Sequence, residues 1–151
     1  MNILPLGSGG REHAMAAKIA ESKLCKKLFI APGNAGTTQC GTNVDLKIDN
    51  FSLIGKFVID NNIKMVVVGP EAPLGEGLVD ALEKIGVKCA APTQAAARIE
   101  TSKTFMRELV DKYKIDGNLG FASFDNAKDA EAYVKKIDHE IVVKPVGLTC
   151  G

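Results

Sequence analysis

Tryptophan is absent from the 151 residues, and tyrosine occurs only twice. With so few stacking rings, no basic run and a formal net charge of +1, the chain has neither an aromatic platform nor a basic stripe for holding nucleic acid. Long apolar runs are also missing: none approaches the roughly 20 residues that a membrane helix needs. The opening NILPL is too short for a signal-peptide core and lacks a basic flank. No membrane is expected as a partner, and a cytoplasmic location is expected. Cys25, Cys40, Cys89 and Cys150 are scattered without a C-x-x-C pair, and the two histidines form no cluster. That excludes a zinc site and points to reduced thiols. Internal repeats and low-complexity segments are lacking too.

What is present is an ordinary globular balance, 46% hydrophobic and 25% charged, long enough for one domain with a substantial core. Apolar runs at 2–6, 28–30, 65–68, 87–90 and 141–144 read as strands. Runs such as MVVV and IVV are continuous rather than alternating, as in parallel strands buried on both faces. Helices are expected over 12–21, 51–61, 76–85, 104–112 and 126–137. The alternation implies right-handed crossovers and an α/β fold: an open parallel sheet with helices on both faces. Pro5 conflicts with this, because the first strand of such a sheet is central and proline removes a ladder donor.

The pattern changes after Pro92. TQAAARIE and SKTFMRELVDKY read as consecutive helical pieces with no strand between them, and Asp116-Gly117-Asn118 is a turn signal before GFASF. The expected division is 1–92, a helical linker over 93–116, and a second unit over 117–151 that is too short for a core of its own.

PLGSGGREHA carries the first chemical signal: strand, glycine turn, helix. A dinucleotide fingerprint, G-x-G-x-x-G, needs glycine where Glu12 stands, and an acidic residue after the second strand, where the sequence has Ala31 and Pro32. Both requirements fail, which argues against a nicotinamide enzyme. The backbone N–H groups from Ser8 to Arg11 at a helix start, with the Arg11 guanidinium, suit a single phosphate monoester instead. A plain tight turn is the simpler reading of these residues alone. His13 reads as a turn-packing residue, and Glu12 as a helix cap. Two more loops follow strands, APGNAGT and VGPEAPLGEG. At the carboxyl ends of neighbouring strands such loops converge on a ligand crevice.

GSGGREHA, PGNAGT and GPEAPL, in this order and spacing, resemble the amino-terminal domain of the phosphoribosylamine–glycine ligase (glycinamide ribonucleotide synthetase) family. AAPTQAAARIETSKTFM and IVVKPVGLTCG are similar to later stretches of the same family, so the resemblance spans essentially the whole chain. It implies a Rossmann-like pre-ATP-grasp domain followed by the start of an ATP-grasp lid. It also implies the purine-biosynthesis reaction in which ATP, with magnesium or manganese, drives ligation of glycine to 5-phosphoribosylamine. By position in the motifs, Gly9, Gly10, Arg11 and Glu12 would lie at the phosphoribosylamine site, lined by Asn34, Gly36, Glu71 and Pro73. Lys103 and Lys144 would correspond to the lysines directed at nucleotide phosphates.

The pattern departs from the family at Pro145-Val146 and at Cys150. The family's glycine-rich ATP clamp, magnesium ligands and carboxy-terminal domain are not in the sequence. A fragment with no catalytic residue of its own, needing the remainder of the enzyme, is therefore expected. Another ATP-grasp ligase and a non-catalytic phosphate- or nucleotide-binding module are the alternatives.

Overall fold

A computed structural model describes residues 1–149. They cluster into two compact units that divide between Ala97 and Arg98.

The first unit is built on five parallel strands, β1 (Asn2–Gly7), β2 (Lys27–Pro32), β3 (Thr42–Asn43), β4 (Ile63–Val68) and β5 (Lys88–Ala90). Their spatial order is β3-β2-β1-β4-β5, so the chain winds outward both ways from a central β1. Helix α1 (Gly10–Ala20) and helix α2 (Phe51–Asp60) lie on opposite faces, and period 2 along the strands explains how. Leu4, Leu6, Val66 and Val68 point to one face and pack with Ile54 and Val58 of α2. Ile3, Met65 and Val67 point to the other, with Ala16 and Ile19 of α1. Leu4, Leu6, Ile30, Ile54 and Val66 have no exposed surface.

Proline does stand in the central strand, and the sheet records its effect. The pairing of β1 with β4 runs unbroken from Ile3 to Leu6, whereas the pairing with β2 skips Leu4 and Pro5. The missing donor thus falls on the β2 side. Nothing in the structure explains why proline is used there.

The helix expected over 76–85 forms as α4 (Leu78–Lys84), and a short helix that was not expected, α3 (Glu71–Gly75), precedes it. Gly77 separates them at φ 90°, a left-handed conformation open to glycine and strained for a residue with a Cβ. Leu78, Val79 and Leu82 of α4 are buried against the sheet. Cys25, Cys40 and Cys89 are free thiols, and burial, with Glu83 nearby, pushes Cys89 up to about 11. Cys150 lies outside the described residues.

The helix α5 (Gln94–Thr101) spans the division between units. The second unit contains α6 (Lys103–Lys112) and α7 (Ala127–Val134). Each starts at a side-chain cap: Ser102 Oγ accepts Phe105 N–H at 3.3 Å, and Asn126 Oδ1 accepts Asp129 N–H at 2.9 Å. The strand expected over 141–144 does not form. Those residues carry no ladder, and Val142 and Val143 are each 79% exposed. An apolar run becomes a strand only when another backbone takes its N–H and C=O groups, and no described segment does so. No helix among the described residues is long and apolar enough to cross a membrane.

Candidate functional site

The turns after β1, β2 and β4 all leave the carboxyl edge of the sheet and meet there. The first enters α1 through Gly9 as N-cap, and the first intrahelical bond is donated by His13 N–H to Gly9 O at 3.1 Å. The N–H groups of Gly10, Arg11 and Glu12 therefore precede any partner within the helix. Glu12 Oε2 accepts the Gly9 N–H at 2.7 Å, which is the glutamate half of a capping box. Glutamate at this helix position thus does cap the turn. It is also buried, its side chain 5% exposed, and a Cβ added to Gly7 or Gly69 would overlap it. The glycines ending β1 and following β4 leave room for this carboxyl group.

Two cross-links tie the turns together. Asn34 Nδ2 donates to Ser8 O at 2.8 Å, joining the second turn to the first. The Asn34 carbonyl oxygen of the side chain accepts from Gly36 N–H at 2.8 Å and Thr37 N–H at 3.1 Å, folding PGNAGT onto itself. Buried Thr37 adds a bond from its hydroxyl to Asn43 Oδ1 at 2.7 Å, which fixes the loop to β3. His13 packs over Gly36, where a Cβ would overlap its ring. The second link is Arg11 Nη1 to Glu71 Oε1 at 2.7 Å, joining the first turn to the third. The hydrogen bond from Arg11, with one from the backbone N–H of Glu71 itself, holds the Glu71 carboxyl below its ordinary 4.5.

A cavity of about 460 Å³ opens between these turns. Gly7, Ser8, Gly9, Arg11 and Glu12 form one wall, and Pro32 and Pro70 contribute from the ends of β2 and β4. The opposite wall is Lys47, Ile48 and Asp49, just before α2. Sequence reasoning did not find that wall. Its only signal was that the segment follows a strand too short, at two residues, to be read from an apolar run.

Of the residues singled out from sequence, Gly9, Arg11 and Glu12 line the cavity, and Glu71 reaches it through Arg11. Gly10 is the exposed first residue of α1, and Asn34 and Gly36 form the adjoining loop. Pro73 is buried within α3 and is not on the wall. Lys103 and Lys144 belong to the second unit. Lys103 N–H donates to Val146 O at 2.9 Å, and its Nζ donates to Gly147 O at 2.6 Å. The start of α6 is thereby tied to the segment immediately after Lys144. No group of three or more His, Cys, Asp or Glu side chains that could hold a metal exists among the described residues.

A doubly wound parallel sheet with glycine turns gathered at its carboxyl edge defines an α/β domain whose crevice lies where such sheets place their ligand sites. Comparison with known proteins narrows this class. Residues 1–100 match the family model described as phosphoribosylglycinamide synthetase, N domain, and residues 101–151 match the ATP-grasp (A) domain of the same synthetase. The chain belongs to the phosphoribosylglycinamide synthetase family. It is 43% identical to a phosphoribosylamine–glycine ligase of Methanobrevibacter smithii, over all of this chain and 34% of the relative. It is 41% identical to the trifunctional purine biosynthetic protein adenosine-3 of Gallus gallus, over 99% of this chain and 15% of that one. The crystal structure of a phosphoribosylamine–glycine ligase from Thermotoga maritima superposes with a TM-score of 0.69 at 26% identity, covering 98% of this chain and 34% of the other. The chain thus spans about a third of the length of the single-function ligases it matches.

Proposed function

We propose that this chain supplies the sugar-phosphate-holding part of an enzyme that ligates glycine to 5-phosphoribosylamine with ATP, giving glycinamide ribonucleotide, ADP and phosphate. The observation that carries the reading is the convergence of three turns, cross-linked through Arg11–Glu71 and Asn34–Ser8, on one cavity large enough for a pentose monophosphate.

In this reading the phosphate rests on the N–H groups of Gly10 and Arg11 at the positive end of α1, with the Arg11 guanidinium beside it. Gly9 and Glu12 shape the floor of the site. Asn34, Gly36, Glu71 and Pro73 hold the neighbouring turns in register, so that the sugar is oriented before reaction. Lys103 and Lys144 are assigned to the nucleotide phosphates as point charges. In the whole enzyme the glycine carboxylate is activated by phosphorylation and the sugar amine attacks it. No described residue is assigned to magnesium. The remainder of the enzyme, a cytoplasmic location and small-molecule substrates complete the proposal.

A magnitude frames the test. Three or four charge-assisted hydrogen bonds of about 1.5–3 kcal/mol each offset an association cost of about 4–15 kcal/mol, which sets a ceiling of about micromolar and makes weaker binding the expectation. Ribose 5-phosphate is a stable stand-in for the labile amine. Titrated into the chain, it should shift the amide resonances of 7–12, 33–37, 69, 71 and 72. Shifts confined to other residues would overturn the assignment.

A further inference from the structure

We propose that Glu12 is the specificity-determining residue of this site: its carboxylate occupies the place where this strand order could seat a second phosphate, and so restricts the cradle to one. The proposal rests on the reading that the Ser8–Arg11 turn receives a phosphate, and it adds what that turn refuses.

The β3-β2-β1-β4-β5 order puts the reversal of winding between β1 and β4, where folds of this kind accept a dinucleotide pyrophosphate. Such folds carry a glycine at the position of Glu12, where it lets the helix pack closely on the strand; here the glutamate side chain reaches the cavity between the two strand ends and closes it in three ways. Its side chain lies against Gly7, which ends β1, and Gly69, which follows β4, so the volume between the two strand ends is filled. Its Oε2 takes the Gly9 N–H at 2.7 Å, which removes one donor from any incoming anion. Its Oε1 is buried without a hydrogen-bond partner among the described residues, and Arg11 Nε is 4.0 Å away, so a negative charge is aligned along the wall. A like charge about 5 Å from a phosphate, at an effective dielectric near 20, lowers affinity on the order of a hundredfold. The first-turn N–H groups of α1 and the Arg11 and Lys47 side chains line the same cavity. That set suffices for a single phosphate.

The test is calorimetric titration of the 151-residue chain with inorganic phosphate, inorganic pyrophosphate and ribose 5-phosphate. In the unmodified chain, pyrophosphate should bind no more tightly than phosphate despite its greater charge; a tenfold preference for pyrophosphate overturns the proposal without any variant. Glu12→Gln keeps an oxygen for the Gly9 N–H, keeps the volume and removes the charge. It should improve the ratio of pyrophosphate to phosphate affinity by about tenfold or more. Glu12→Gly, which also empties the space, should improve it further. A ratio unchanged within about twofold in Glu12→Gln, with its amide spectrum still that of the folded chain, overturns the proposal. Failure of ribose 5-phosphate to bind while the pyrophosphate ratio shifts would sink the sugar-phosphate reading and leave the discrimination by Glu12 standing.

Discussion

The two units are held together by different physics. From 98 to 149 no residue is buried, whereas the first unit has a sheet sealed on both faces and side chains such as Leu4 and Leu6 at zero exposure. Both units have helices started by side-chain caps. The difference is in the strands: five pair in the first unit, while the apolar stretch 141–144 in the second pairs with nothing described. Caps and turns are local and form in either setting, but a core requires strands that find one another.

The largest effect that should separate the two is a core truncation. Leu6→Ala should destabilise the first unit by about 2–5 kcal/mol, since it leaves a cavity beneath α2, while Val143→Ala should stay within about 0.5 kcal/mol. Urea denaturation followed by separate amide probes in each unit measures both, and equal effects would erase the contrast. Arg11→Ala removes one charge-assisted contact and should weaken ribose 5-phosphate by about tenfold or more, with little change in stability because the Arg11 side chain is 67% exposed. Ser102→Ala should cost about 1 kcal/mol, detected as faster exchange of the first-turn amides of α6 with no change in the first unit.

The smallest effect is a pH dependence. Folding depresses the Glu71 pKa, so its ion pair with Arg11 contributes stability above the ordinary value of 4.5, and that contribution is lost as pH falls through the lower folded value. The amount should be below about 1 kcal/mol for a pair open to solvent on the Arg11 side. Carbon-detected titration of the Glu71 carboxyl, repeated in Arg11→Ala, should show the midpoint rising toward 4.5.

Much of the first unit was legible because its signals are local or periodic. The glycine turns mark strand ends, and continuous apolar runs mark strands covered on both faces. The break between α3 and α4 was written only as Gly75-Glu76-Gly77, and the left-handed turn there has to be accommodated by the packing of Leu78 and Val79. β3 is two residues long and has no apolar pattern to find. Glu12 was legible as a departure from a glycine fingerprint and as a cap, but not as a buried group. Its burial depends on Gly69, more than fifty positions away, coming to lie beside Gly7. The wall of Lys47 and Asp49 depends in the same way on where β3 lands.

The skipped rungs at Leu4 and Pro5 have a mechanical consequence. A sheet opens first along its weakest seam, and the seam beside β2 has fewer ties at mid-length than the one beside β4. Protons on the β2 side of the central strand should therefore exchange with solvent before those on the β4 side, and the PGNAGT turn, carried on β2, should move with that opening edge.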